Sequence, residues 1–357
     1  MNNKLHSAEM LGILMVVITT QQLSNSDQHI YFAGDALWVS ALLAGLIGIL
    51  VCFAVMKLAG NTGYFDACAS IPGARVICGI VLSLLFMEFA AQIYKTAIDM
   101  LNLYALSFTP RFFLAFVVLL AVLPGCFIGT AAVGRTMQLI LPFMITLLLI
   151  VLIFSSIEQW DFNNLFPIFG NGPNTILTNA SRSIPSFLWL LLPLIELPQL
   201  RKPGAIGMKA VASALFLVAI SYFTVNLITP QRALMETSFP IQQLSVMSGY
   251  SSFLQRLRSV FLFVWVPAFV GAAAIGLCYA TKSLGTAFKM EEPRPLLLPL
   301  ATMLLCMGAP RASSMPGWYS FVMENKPILH GALLLFLLLP YVVSRLKERK
   351  KGGAQGA

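Results

Sequence analysis

The residues of this chain that could do chemistry lie mostly inside long apolar runs. One set falls in the third of these runs and comprises Glu88, Gln92, Lys95, Asp99 and Asn102. At the helical rotation of 100° per residue these positions span an arc of about 80°, so they share one helix face. Ionisable groups inside a membrane are expensive and are functional candidates by default. We therefore predict a polar seam facing a cavity, with a carboxylate able to relay protons or bind an ammonium group.

Glu88 lies deepest in this run and is the stronger candidate for a proton relay. The four-residue spacing from Glu88 to Gln92, and from Lys95 to Asp99, allows local pairing along the helix. Two other interpretations remain open. The seam forms a neutralised network that only orients helices, or Lys95 and Asp99 reach water at the outer end of the run.

A second polar set interrupts the first apolar run, where LGILMVVI is followed by TTQQLSNSDQHI. A helix that unwinds near Thr19–Asn25 would expose backbone and side chains to a ligand. Irregular backbone is tolerated at membrane depth only where it lines a cavity or is buried in protein. The ligand-binding residues that we predict here are Thr19, Thr20, Gln21, Ser24 and Asn25. The alternative is a span that ends near Thr20 and continues as a loop.

The sixth apolar run is interrupted too, because proline removes a backbone hydrogen bond and disfavours a straight helix. Its prolines are Pro185, Pro193 and Pro198. The serines clustered at its first break, which we also predict to bind ligand, are Ser181, Ser183 and Ser186. Interrupted helices at matching places in two halves of a chain indicate a transporter-type binding site.

One more charged residue, Glu196, lies near the inner end of this sixth run, beside Arg201 and Lys202. We expect a structural ion pair there rather than a functional carboxylate.

The composition sets the class of protein. Of the 357 residues 58% are hydrophobic and only 10% are charged, against about 25% charged in ordinary globular proteins. So few charges cannot cover a water-soluble surface, which excludes a secreted disulfide scaffold, a nucleic-acid-binding domain and a disordered chain. The sequence therefore predicts an all-α polytopic membrane protein whose main partner is the lipid bilayer. It binds no nucleic acid, and its net charge of +9 reflects cytoplasmic loops.

About 20 apolar residues are needed to cross the bilayer core, and ten segments qualify or nearly qualify. They are 9–30, 36–58, 76–105, 112–133, 136–156, 176–200, 205–228, 257–281, 295–310 and 328–346, the ninth being the shortest. We predict one integral membrane domain over 1–357, with a first repeat at about 9–156, a second at about 176–346 and a basic cytoplasmic tail at 347–357. Segment 229–256 contains a short surface helix or an ordinary loop helix.

The Lys and Arg residues test the even number of spans. Fifteen of the 23 fall on the side of the two termini, seven on the opposite side, and Lys95 lies within a span. Because positive residues collect in cytoplasmic loops, this asymmetry predicts that both termini are cytoplasmic.

The sequence lacks the common motifs for nucleotide binding, serine hydrolysis and metal-dependent proteolysis. It has no P-loop, GxSxG or HExxH pattern, and its six cysteines form no CxxC pair. The three histidines, His6, His29 and His330, are too dispersed to assemble a site by spacing. We therefore predict no catalytic residue, cofactor or metal site, and expect a protein that is not an enzyme.

Four segments resemble a known family. They are GRTMQLILPFMI (134–145), WDFNNLFPIFGNG (160–172), FPIQQL followed by FLQRLRSVFLFVWV (253–266), and the basic C-terminus after a Leu/Pro-rich last span. Their order is similar to that in the B subunit of spore germinant receptors, the spore germination permease family of the amino acid/polyamine/organocation transporter superfamily.

This resemblance implies ten spans in a five-plus-five inverted repeat, with helices one and six broken around a small germinant such as an amino acid. It implies partner A and C subunits and a place in the inner membrane of a spore. The chain departs from the family pattern at two points. No glycine occurs among Thr19–Gln22, and Arg258 stands where relatives carry Glu.

Two functions follow as hypotheses. The first is an integral membrane subunit of a germinant receptor that triggers spore germination. The alternative is a proton- or sodium-coupled permease for amino acids or amines, with Glu88 as the proton carrier. A scaffold that merely assembles a complex would be insensitive to substitution of Thr20, Ser183 or Glu88.

Overall fold

The computed structural model describes residues 5–26, 29–30, 34–156, 160–170, 172–197, 200, 202–230, 233, 239, 257–309 and 325–354. These residues form helices joined by turns and contain no strand, so the predicted all-α class is confirmed.

The first half of the chain contains six described helices. They are α1 (Ser7–Ser24), α2 (Leu37–Ala59), α3 (Tyr64–Ala69), α4 (Ala74–Tyr104), α5 (Arg111–Ile128) and α6 (Thr130–Ser156). The second half contains seven more. They are α7 (Pro173–Ser181), α8 (Ile184–Phe187), α9 (Leu191–Ile195), α10 (Pro203–Ile228), α11 (Leu257–Ala287), α12 (Leu297–Gly308) and α13 (Lys326–Ala354). Short 3-10 turns cover Gly34–Ala36, Phe162–Leu165, Leu188–Leu190 and Arg294–Leu296.

All ten predicted spans correspond to helical segments. Seven helices of the described residues are long and apolar enough to cross a membrane: α2, α4, α5, α6, α10, α11 and α13. The other three segments are α1 with 18 residues, the interrupted run α7–α9, and α12 with 12 residues. The shortness of the ninth span was also predicted.

Large apolar side chains lie on the outside of this bundle as well as inside it. Leu50 of α2 is 67% exposed, and Phe263 of α11 is 80% exposed. Exposure of such side chains is unfavourable in water and favourable in the hydrocarbon of a bilayer. Helices can cross the hydrocarbon because their backbone polar groups are hydrogen-bonded within the helix. The outer faces therefore fit contact with lipid.

Helices at equivalent positions of the two halves pack against each other. The most extensive contacts join α4 with α11 and α2 with α10, the third span with the eighth and the second with the seventh. Small residues allow the close approach, as expected where van der Waals packing holds helices together in lipid. A Cβ atom on Gly276 would lie 2.8 Å from Ala90 Cβ, and one on Gly79 would lie 2.5 Å from Ala287 Cβ.

The last helix is held at its C-terminal end by the connection that follows α2. Arg345 Nε donates to the Leu58 carbonyl at 3.3 Å, Tyr341 Oη donates to the Thr62 carbonyl at 3.2 Å, and Lys347 Nζ donates to the Ser70 carbonyl. Pro340 interrupts the hydrogen bonding of α13 one residue before this attachment begins.

Some sequence predictions fall outside the described residues. Most of the surface helix predicted within 229–256 is among them, as are the side chain of Arg258, the residues Pro198 and Arg201, and the end of the tail at 355–357.

Candidate functional site

The polar end of the first span remains helical through Ser24. The Thr20 hydroxyl donates to the carbonyls of Val16 and Val17 at 2.8 and 3.1 Å, and the Ser24 hydroxyl donates to the Thr20 carbonyl at 2.7 Å. These bonds satisfy the side chains on the helix itself. The loop alternative from Thr20 onward is therefore wrong.

The interruption predicted within Thr19–Asn25 lies at the end of that interval. Asn25 leaves the helical conformation with φ −108° and ψ 14°, and helical residues recur at Ser26 and at 29–30. The turn before Asn25 stays helical, because the Thr20 and Ser24 hydroxyls bond to carbonyls of their own helix.

The predicted break of the sixth span is present. Helix α7 ends at Ser181, Arg182 and Ser183 form a turn, and α8 begins at Ile184 with Pro185 in its first turn. A 3-10 turn then separates α8 from α9. The segment is thus short helical pieces, as the prolines indicated.

The two interruptions face each other. Ser183 Oγ donates to Gln22 Oε1 at 3.4 Å, and Tyr222 Oη of α10 donates to the Gln22 carbonyl at 3.4 Å. Ser186 is buried on the same side of the sixth span, whereas Ser181 donates to Thr178 of its own helix. The structure therefore brings Ser183 to the first span and leaves Ser181 outside this contact.

A further link joins the segment after the first break to α7 and α2. His29 Nδ1 lies 3.0 Å from Asn179 Oδ1, and Asn179 Nδ2 donates to Ser40 Oγ at 2.6 Å. All three side chains are buried. The sequence did not indicate Asn179, because a single buried asparagine gives no spacing pattern.

Three buried polar atoms of helix α1 have no hydrogen-bond partner among the described residues. They are Thr19 Oγ1, Gln21 Oε1 and Gln22 Nε2, on side chains at most 2% exposed. An unsatisfied buried polar group costs about 1–3 kcal/mol. A small polar ligand could therefore donate to Thr19 Oγ1 and Gln21 Oε1 and accept from Gln22 Nε2. The Thr19 hydroxyl could also donate.

The five polar residues predicted to form a seam on α4 share one level of burial. Glu88, Gln92, Lys95, Asp99 and Asn102 are each half-buried, while most of their neighbours on the helix are fully buried. This pattern places the five residues on one partly open face. Of these, Glu88 and Gln92 belong to the site described next.

Gln92 joins the seam to the first span. Its Oε1 accepts from Gln21 Nε2 at 2.5 Å and from Lys326 Nζ at 2.7 Å, and its amide nitrogen donates to Asn25 Oδ1. The two sets of residues that the sequence predicted separately therefore meet at one amide.

Glu88 finds its partners on the last span rather than on its own helix. Lys326 Nζ lies 2.8 Å from Glu88 Oε1, and His330 Nε2 lies 2.9 Å from Glu88 Oε2. The local pairing considered for Glu88 and Gln92 was wrong, because both side chains reach other helices. Lys326 and His330 were missed, although their four-residue spacing at the start of a span places them on one helix face.

Asp99 lies away from this site. It pairs with Arg111 at the start of α5, and Arg111 Nε also donates to the Ala309 carbonyl at 2.7 Å. This contact joins the outer end of the seam to α12. Lys95 lies between the two groups, one helical turn from Asp99 and two from Glu88.

Glu196 forms a separate polar group near the end of the interrupted sixth span. Its Oε1 accepts from Tyr279 Oη at 3.1 Å and pairs with Lys282, both on α11. Of the partners predicted from sequence, Lys202 is not the one found, because α11 packs beside the carboxylate, and Arg201 lies outside the described residues. The expectation of an ion pair holds.

Among the residues that the structure describes, no group of three or more His, Cys, Asp or Glu side chains could hold a metal ion. The described site thus offers amides, hydroxyls and one charged cluster, the kind of groups that recognise small polar molecules through hydrogen bonds and charge.

Comparison with protein families shows the family to which this chain belongs. A family model described as "Spore germination protein" matches residues 11–315. The chain belongs to this spore germination family. Among its relatives is the spore germination protein YndE of Bacillus subtilis strain 168, which is 19% identical over 328 residues and is matched over 88% of each chain.

Solved transporters share the fold. A mutant of the manganese transporter of Eremococcus coleocola has a TM-score of 0.60 at 13% identity, covering 95% of this chain and 76% of its own. MhsT in complex with L-phenylalanine has a TM-score of 0.62 at 15% identity, covering 94% and 88%. A nucleobase-cation-symport-1 family transporter has a TM-score of 0.59 at 13% identity, covering 93% and 76%. These neighbours contain inverted repeats, which confirms the predicted fold class.

Family and fold together establish a membrane protein of the spore germination family with a transporter-like architecture.

Proposed function

We propose that this chain is the integral membrane subunit of a spore germinant receptor and that it senses a small germinant, such as an amino acid, between the first and sixth spans. The observation that carries the proposal is the group of buried, unpartnered atoms on Thr19, Gln21 and Gln22 beside the break at Ser183. Membership of the spore germination family supplies the biological setting.

The proposed ligand contacts are donors and acceptors that the protein leaves unused. Thr19 Oγ1 and Gln21 Oε1 can accept from an ammonium or amide, and Gln22 Nε2 can donate to a carboxylate. The amino-acid carboxylate then meets an amide donor instead of the glycine backbone found in relatives.

Sensing requires that the germinant bind two conformations with different affinity. The contact between Ser183 and Gln22 is long, at 3.4 Å, and joins segments of the two halves. A ligand that bonds to both segments would draw them together and shift the equilibrium. Partner subunits of the A and C type would then respond to the shift.

The proposal includes a location and an orientation. The chain lies in the spore inner membrane with both termini cytoplasmic, and its repeats span about 9–156 and about 176–346. The packing of α2 on α10 and of α4 on α11 supports this division, because each pair joins equivalent spans.

The test is germination of spores that lack the gene and carry wild type, Thr19→Val or Gln22→Leu instead. The panel of germinants covers amino acids, sugars and nucleosides. We expect deletion to abolish the response to one germinant. Each site variant should raise the half-maximal germinant concentration by about tenfold, the equivalent of roughly 1.4 kcal/mol from one lost hydrogen bond.

Thr136→Val is the matched control, because Thr136 is exposed on α6 and donates only to the Ala132 carbonyl. It should leave the dose response unchanged. A deletion strain that responds normally to every germinant in the panel would contradict the receptor proposal for that panel.

A proton- or sodium-coupled permease for amino acids or amines is the second candidate function, favoured by the fold shared with solved transporters. Uptake of a labelled amino acid by the reconstituted chain, together with normal germination of the deletion strain, would select it over the receptor.

A further inference from the structure

His330 is hydrogen-bonded at both nitrogens of its ring. Nδ1 lies 2.8 Å from the carbonyl oxygen of Lys326, one turn earlier on α13. Since a carbonyl oxygen only accepts, Nδ1 carries a hydrogen. Nε2 lies 2.9 Å from Glu88 Oε2 on α4.

This arrangement requires one more proton than a neutral imidazole has. A neutral ring carries a single N–H, which is already used at Nδ1, so its Nε2 would present a lone pair to the carboxylate. Two acceptors repel at hydrogen-bonding distance. A second proton must therefore lie between Nε2 and Oε2.

The position of Lys326 decides which group holds that proton. Its side chain is only 5% exposed, and its Nζ lies 2.8 Å from the other oxygen, Glu88 Oε1. A neutral carboxylic acid would leave this buried ammonium without an opposite charge, which is costly. The charged carboxylate between two cations is the arrangement that balances these contacts.

We propose that His330 is an imidazolium held by Glu88, and that this pair is a proton-binding site of the protein. The proton resides on the histidine rather than on Glu88, in contrast to the carboxylate relay expected from sequence. The proposal deepens the proposed function, on which it rests for its biological role, by adding a proton as a second ligand.

Release of the proton has a structural consequence. The proton leaves His330 Nε2 for water along the side of Glu88 that is open, since that side chain is 29% exposed. The remaining lone pair then faces the carboxylate, and the contact between α4 and α13 becomes repulsive. Lys326 would move with α13, and with it the hydrogen bond from Lys326 Nζ to Gln92 Oε1, which adjoins the germinant site.

Other groups near His330 do not supply the proton. Phe89 stacks on the imidazole at 5.8 Å between ring centroids and is not titratable. Asp66 of α3 and Lys57 of α2 belong to elements that pack against α13, but these elements contact it near Tyr341 and Arg345, three to four turns away. Helix α8, which also packs on α13, carries no ionisable residue.

Nuclear magnetic resonance of the full-length chain in lipid nanodiscs tests the site directly. The chain has only three histidines, so labelling with 15N-histidine gives few signals. His330→Asn assigns the signal of interest, and if that variant folds poorly, His6→Asn and His29→Asn assign it by elimination. His6, whose side chain is 74% exposed, serves as the internal reference signal.

We expect both ring nitrogens of His330 to be protonated at pH 7. Glu88→Gln should convert His330 to the neutral form at the same pH. Glu196→Gln, the same change at a buried carboxylate on another helix contact, should leave the His330 signal unchanged. Because no germinant is present, this result does not depend on the receptor proposal.

A neutral His330 with a bare Nε2 at pH 7 in the wild-type chain would overturn the proton site. So would a His330 signal that Glu88→Gln does not alter. Either result would leave the germinant site of Thr19 and Gln22 untouched, since germination assays test that site separately.

Discussion

Two carboxylate–lysine pairs join the helices of this protein, each with one buried and one partly exposed member, and the exposures are reversed between the pairs. In the pair of Glu88 and Lys326 the carboxylate is 29% exposed and the lysine 5%. In the pair of Glu196 and Lys282 the carboxylate is 3% exposed and the lysine 37%. The first pair presents its negative group toward an open region. The second encloses its negative group and lets the cation reach outward.

The groups that contact the two carboxylates also differ in the positive charge that they can carry. Glu88 contacts two groups that can carry positive charge, whereas Glu196 contacts one ammonium and the Tyr279 hydroxyl. A buried pair is weak support for stability, but removal of one member leaves an uncompensated charge. The difference agrees with the structural ion pair expected at Glu196 and with the proton site proposed at Glu88.

Lys282→Met should have the largest effect on stability. Among the described residues it leaves the buried Glu196 with the Tyr279 hydroxyl as donor, and we expect the free energy of unfolding to fall by about 3–5 kcal/mol. Thermal unfolding of the purified chain in detergent measures the loss. The double variant Lys282→Met, Glu196→Gln should recover most of it, because the buried charge is then absent. Failure of the double variant to recover stability would contradict the role of the uncompensated charge.

Lys326→Met should lower the free energy of unfolding by less than Lys282→Met does. Glu88 keeps His330 and a partly open side, so we expect a loss of roughly 1.5–3 kcal/mol, as for one hydrogen bond to a charged group. The same thermal assay applies. A loss equal to that of Lys282→Met would remove the proposed difference between the two pairs.

Gly276→Val should lower the free energy of unfolding by an amount similar to or smaller than that of Lys326→Met, because the new side chain overpacks a helix contact. Glu88 and Lys282 lie on α4 and α11, and Gly276 lies where these helices touch, with Ala90 Cβ 2.8 Å from the position of a new Cβ. Overpacking of this kind costs about 1–3 kcal/mol. Gly331→Ala is the control, because nothing lies within 4 Å of a Cβ there, and it should be neutral or slightly stabilising. Equal melting temperatures for Gly276→Val and wild type would show that the α4–α11 contact is loose.

Much of this architecture could be predicted from sequence, because the information is local. Apolar run lengths gave the ten spans, and rotation of 100° per residue placed Glu88 and Gln92 on one face. Prolines marked the break of the sixth span, since a missing N–H has the same effect in any surroundings.

The rest depends on which helices meet, and no local pattern encodes that. The contact between Glu88 and His330 joins positions 242 residues apart, and that between Glu196 and Lys282 joins positions 86 apart. Lys202 was an obvious partner of Glu196 in sequence, yet the described partner is Lys282. The exact residue at which the first span breaks depends on side-chain bonding: Thr20 bonds to its own helix, and composition cannot distinguish this from unwinding.

The attachment of the last helix has a mechanical consequence. Lys326 at one end of α13 contacts Glu88, while Arg345 at the other end contacts the Leu58 carbonyl. At 1.5 Å per residue these positions are about 28 Å apart along the helix axis. Pro340 lies between them and weakens the backbone at that point. Pro340 is therefore a point at which α13 can bend while both of its ends stay attached. A displacement of Lys326 would then change the bend angle at Pro340 rather than shift the whole helix.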